Sequence, residues 1–150
     1  MSHAVRLAAC TVTCALSMVT SGARAVDGAP LRMAVGEIGG AEQGELRSAL
    51  TDALRADPDL RLTPRASAEL VVSGSVLRSE ERRTEGRLRV DCAVSVIVSD
   101  ARSGAILAML EGRAGAIGGE PHALHRNALR AAVRGALRPL PSQGRALARR

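Results

Sequence analysis

The sequence contains no tryptophan, tyrosine or phenylalanine. Any core must therefore be packed from leucine, valine, isoleucine, methionine and alanine. The same absence removes a class of ligand site, because single-stranded nucleic acids and sugars are commonly held by stacking on aromatic faces. Lysine is missing too, so all 21 basic residues are arginine. Arginine, alanine and glycine at this level fit a GC-rich coding bias. The acidic residues are interspersed among the arginines and no nucleic-acid recognition motif accompanies them, so nucleic acid is not an expected partner. Cysteine is scarce as well: there are three, and Cys10 and Cys14 lie close to the start.

Long apolar runs are also lacking. The most apolar stretch near the start, "LAACTVTCALSMVT", is too short for a membrane span. It follows the short segment "MSHAVR" and precedes "ARA" at Ala23-Arg24-Ala25, a small-x-small pattern. Residues 1–25 therefore read as a secretory signal cleaved after Ala25. Cleavage removes Arg6 and Arg24 and no acid, which leaves 19 arginines against 15 acids, a charge of +4. "LAAC" (7–10) also matches the lipobox of bacterial lipoproteins, so a lipid anchor at Cys10 is the minor alternative. After cleavage near Ala25, Cys92 is the only thiol left, and a disulfide-built domain is excluded.

With 150 residues the chain suits one ordinary domain. After a linker at 26–30, "LRMAVGEI" (31–38) reads as a strand and "GGAEQG" (39–44) as a turn. "ELRSALTDALRA" (45–56) is a helix, with Leu46, Ala49, Leu50, Ala53 and Leu54 on one face. A short strand (60–64), a third strand (69–80) and a charged loop (81–86) follow. "RLRVDCAVSVIVS" (87–99) alternates strictly, with Leu88, Val90, Cys92, Val94, Val96 and Val98 on one side. Its partner strand spans 104–116, and a helix runs from Pro121 to about Leu137. Pro139 and Pro141 stop that helix, and 141–150 reads as a disordered tail. The order β-α-β-β-β-β-α predicts an α+β two-layer sandwich over 31–140, with a mixed, mostly antiparallel sheet and two helices on one face.

The chemistry-bearing residues are few. Strand parity puts Cys92 in line with aliphatic residues, where a thiol is a small inert side chain. "DARSG" (100–104) reads as a hairpin turn, with Asp100 capping it and Gly104 in the left-handed conformation. His122 and His125, with Glu120, are too few for a zinc site, so no metal is expected. The glycines of "GEIGGAEQG" match neither dinucleotide-binding nor P-loop spacing, and no G-x-S-x-G elbow is present. No catalytic residue, cofactor or small-molecule substrate is expected, and the chain does not read as an enzyme. Arg126, Arg130, Arg134 and Arg138 recur every four residues on the last helix. They form a strip that could dock an anionic partner, either lipid headgroups or an acidic protein surface.

Three segments carry a resemblance: "AELVVSGSVLRSEE", "RLRVDCAVSVIVSDARSGAILAMLEGRAGA" and "ALHRNALRAAVRGAL". Their order resembles the small α/β domain of bacterial envelope accessory proteins. That group includes the TolB N-terminal domain, the curli-secretion protein CsgG and the lipoprotein activators of penicillin-binding proteins. The likeness covers roughly 31–140. It implies a non-catalytic periplasmic domain that contacts an envelope protein partner, with no catalytic residues to carry over.

Overall fold

The structure, a computed structural model, describes residues 29–40 and 42–149. The expected leader, its cleavage at Ala25 and the anchor at Cys10 lie outside the described residues. The elements are β1 (Leu31–Gly39), α1 (Gln43–Ala56), β2 (Leu60–Leu62), a 3-10 turn (Arg65–Ser67), β3 (Leu70–Thr84), β4 (Arg87–Asp100), β5 (Ile106–Ile117), α2 (Pro121–Leu137) and α3 (Leu140–Leu147). They build one five-stranded sheet in the order β2-β1-β3-β4-β5. β1 pairs in parallel with both β2 and β3, while β3, β4 and β5 form an antiparallel meander.

Alternation decides which face is covered. β4 buries Val90, Cys92, Val94, Val96 and Val98, while the residues between them stay half-buried. The same face takes Met33 and Ile38 from β1 and Leu70 and Val72 from β3. α1 lies over β1, β2 and β3, and α2 over β4 and β5. α1 contributes Leu46, Ala49, Leu50 and Leu54, while α2 contributes Leu129, Val133, Ala136 and Leu137 together with Leu124, Ala128 and Ala132. The fold is thus the α+β arrangement expected, built on a core with no aromatic ring. Burial of these aliphatic side chains drives it, at roughly 25 cal/mol per Å² of apolar surface.

Two expectations are corrected. Residues 81–84 are strand, not loop: β3 runs on to Thr84, and Glu85 and Gly86 (φ 52° and 75°) make a two-residue turn into β4. Such a turn needs positive φ at both central residues, and its twist matches that of the strands it joins. The charges in this ribbon are consistent with strand because they pair along it: Glu80 accepts from Arg82, and Arg89 Nε lies 2.9 Å from Asp91 Oδ2. The end of the chain is likewise not a disordered tail, since 140–147 form α3. Pro139 precedes that helix and Pro141 falls in its first turn, where a missing N–H costs little. Leu140 is buried, and a Cβ on Gly144 would lie 2.6 Å from Leu31 Cδ2, so α3 sits against the start of β1.

Candidate functional site

The arginine strip is carried by α2, whose start is secured locally. Glu120 caps it, its carboxylate accepting from the backbone N–H of His122 (3.0 Å) and Ala123 (2.8 Å). These bonds hold the Glu120 carboxyl below the usual carboxylate range. Ala128, Ala132 and Ala136 then face β5, where Gly112 lets the helix touch the strand backbone. Arg126, Arg130, Arg134 and Arg138 are all exposed. Arg126, Arg130 and Arg134 do not stand on an isolated solvent face, because two shallow cavities between α1 and α2 run along them. Arg126 and Arg130 line one with Glu45 and Ser48, and Arg130 and Arg134 line the other with Asp52 and Ala53. Arg130 Nη2 lies 3.4 Å from Asp52 Oδ2, a half-exposed pair worth little in stability. Among the described residues, Arg126, Arg134 and Arg138 have no ion-pair partner.

The two histidines do not come together. His122 is exposed, and Glu120 is occupied by its cap. His125 turns the other way: its Nε2 lies 2.7 Å from Glu42 Oε2 and its Nδ1 3.3 Å from Ser79 Oγ. Ser79 Oγ in turn lies 3.9 Å from Cys92 Sγ. The line Glu42–His125–Ser79–Cys92 ties the start of α1 to the second turn of α2 and to the long strands β3 and β4. With both ring nitrogens engaged, His125 has neither left for a metal. Cys92 is a free cysteine, 3% exposed, and burial pushes its thiol above the usual range.

Asp100 sits at the end of β4, and its Oδ1 accepts from Arg102 N (3.0 Å), Ser103 N (2.7 Å) and Ser103 Oγ (2.8 Å). These bonds hold its carboxyl low. Gly104, at φ 71°, lets the chain turn back into β5.

One feature escapes sequence reasoning. A cavity of about 480 Å³ opens where β1 and β3 begin and β4 ends, lined by Arg32, Arg65, Ser67, Glu69, Asp100 and Arg102. Its two carboxylates are already engaged. Glu69 Oε2 accepts from the Arg32 backbone N–H at 3.0 Å and lies 3.5 Å from its guanidinium, and Asp100 is held by its turn. Arg65 and Arg102 have no ion-pair partner among the described residues, so the mouth is basic. Its arginines stand more than thirty residues apart in sequence, so no motif announces them. A second exposed feature is apolar: Leu77 on β3, and Ile106 (62% exposed), Met109 (68%) and Ile117 (58%) on β5.

No family model and no curated protein matches the chain. Solved structures do. The chain is similar to an uncharacterized lipoprotein B from Nitrosomonas europaea, with TM-score 0.55 and 17% identity, over 77% of this chain and 85% of that one. It is similar to a minor lipoprotein from Acinetobacter baumannii, with TM-score 0.54 and 16% identity, over 77% and 96%. It is similar also to PelC from Paraburkholderia phytofirmans, described as a dodecamer, with TM-score 0.52 and 20% identity, over 75% and 88%. The fold of this chain is one that bacterial lipoproteins share.

Proposed function

We propose that this chain is a secreted, non-catalytic accessory domain of the bacterial cell envelope that works by contact with a partner protein in the periplasm. The observation that carries the reading is the fold, common to this chain and two solved bacterial lipoproteins. Within that class, the strand and turn pattern supports the finer likeness to the TolB, CsgG and penicillin-binding-protein-activator group. The lipoprotein likeness also supports the anchored form at Cys10. Intact mass of the protein extracted from membranes separates a chain starting at lipidated Cys10 from one starting near Val26. The contact face we assign is the α2 strip, where Arg126, Arg134 and Arg138 offer three unpaired guanidinium groups to an acidic surface. Crosslinking in intact cells followed by mass spectrometry is expected to recover an envelope protein joined near α2; recovery of none overturns the reading.

The same three unpaired arginines favour a second reading, binding to anionic lipid headgroups. Vesicles with anionic headgroups are then bound at low salt and released as ionic strength rises. Changing Arg126, Arg130 and Arg134 to glutamine is expected to abolish that binding, and unchanged binding rejects it.

A further inference from the structure

The two edges of the sheet differ sharply. β2, at one edge, is three residues long, whereas β5, at the other, is twelve and pairs only with β4 among the described residues. Long exposed edges are usually blunted by prolines, bulges or several charges, because their free N–H and C=O groups accept another strand. β5 has no proline and one register irregularity, at Leu107 near its start, and carries three of the four large apolar side chains most exposed to solvent among the described residues, Ile106, Met109 and Ile117. Its only charges are Glu111 and Arg113, which flank Gly112 and already form an exposed ion pair within the strand, Arg113 Nη2 lying 3.5 Å from Glu111 Oε2. Opposite them on β4 stand Ser95 and Ala93, so both charges lie on the face turned away from the helices.

These two charges choose a partner and a register. We propose that β5 pairs antiparallel with β5 of a second copy of this chain, about a two-fold axis through Gly112, to give a continuous ten-stranded sheet. About that axis Glu111 stands opposite Arg113 of the second copy, and Arg113 opposite its Glu111. Met109 stands opposite Gly115 on the same outward face. Sliding the strands by two residues either way sets Glu111 against Glu111 or Arg113 against Arg113. Sliding by one turns each outward face against an inward one. Like charges directly opposite are destabilising and opposite charges stabilising, so one register is selected.

The helix above allows this approach. α2 meets α1 through Arg126, Leu129 and Arg130. At 100° per residue, its opposite side, toward the β5 edge, presents Ala131 and Gly135, with the exposed Asn127 and Arg138 beside them. Small residues there leave room for a second α2 across the axis. A symmetric, self-complementary contact of this type is the commonest way identical chains associate. The inference goes beyond the envelope-adaptor reading and does not depend on it.

Sedimentation equilibrium of the secreted protein as purified from cells tests it. The wild type is expected to be a dimer at micromolar concentration. Glu111→Arg and Arg113→Glu, each alone, are expected to raise the dimer dissociation constant about tenfold or more. The double exchange, Glu111→Arg with Arg113→Glu, is expected to restore it, since the opposed pairs are re-formed with their signs reversed. Circular dichroism of each variant reports whether the fold survives, so a monomer arising from unfolding is recognised. A monomeric wild type overturns the proposal, as does an oligomer that ignores the single reversals, because its contact would lie elsewhere. Failure of the double exchange to recover association also overturns it.

Discussion

Replacing Gly112 with alanine probes the closest contact in the fold. A Cβ there would lie 1.9 Å from the Ala132 carbonyl oxygen, 2.8 Å from Ala136 N and 2.9 Å from Ala132 C. Ordinary contact begins near 3.4 Å, so the new methyl falls about 1.5 Å short of the room it needs. The obstacles are helix backbone, which cannot turn aside as a side chain can. α2 must therefore lift, and Ala128, Ala132, Val133 and Ala136 lift with it. Overpacking in a core costs about 1–3 kcal/mol, and obstruction by backbone puts this change at about 3 kcal/mol or more. That is a large share of the roughly 5–15 kcal/mol holding a domain together. At about 4 °C per kcal/mol for a domain of this size, the expected fall in Tm is about 10 °C or more. Far-UV circular dichroism is the assay, since the chain has no aromatic fluorophore. Gly44→Ala is the control: nothing lies within 4 Å of its Cβ in α1, and alanine there is expected to stabilise by about 0.5–1 kcal/mol. A Gly112→Ala melting curve within about 2 °C of wild type would show that α2 does not rest on the β5 backbone at this position.

Cys92 is expected to resist thiol reagents in the native protein and to react once urea unfolds it, because the thiol is buried and its thiolate disfavoured; rapid native labelling contradicts the packing. Glu120→Ala removes the α2 cap and is expected to lower Tm by less than Gly112→Ala, while Glu120→Asp keeps a cap acceptor and loses less; equal losses for the two variants would dismiss the cap. Asp91, Asp100 and Glu120 are held low chiefly by hydrogen bonds, from Arg89, Ser103 and His122 in turn. Groups with folded values below their unfolded ones stabilise above the ordinary carboxylate range, and that stability is lost as pH falls through it. Tm is therefore expected to hold near neutrality and drop on acidification, and substituting Asp100 by asparagine should flatten part of the drop.

Much of the fold was legible because its signals are periodic. The alternation through Val90, Val94, Val96 and Val98 identifies a strand covered on one face, and Leu46, Leu50 and Leu54 identify the helix that helps to cover it. The run from Glu81 to Thr84 was not legible, since charges on both sides of a ribbon leave no alternation of burial to detect. Leu140 and Gly144 were too sparse a pattern to announce α3, whose helix rests on tertiary contact with Leu31. The arginine strip was visible as a four-residue repeat, but its position beside α1 depends on how two helices pack. The basic cavity was invisible: Arg32, Arg65 and Arg102 meet only because the sheet brings the starts of β1 and β3 beside the end of β4.

The place of β1 in the sheet has a consequence for the order of folding. β1 lies between β2 and β3, and Met33 pairs with Leu70, thirty-seven positions further on. The β3–β4 ribbon, by contrast, closes on a two-residue turn, with Thr84 against Arg87. Closing a short loop costs less chain entropy than closing a long one. The meander of β3, β4 and β5 with α2 is thus the expected nucleus, and the N-terminal β1–α1 unit, although made first, docks late. Substitutions at Gly86 should then slow folding, whereas substitutions at Leu50 should chiefly hasten unfolding. A chain exported from its N-terminus would carry β1 across the membrane unpaired and complete its sheet only after β3 has followed.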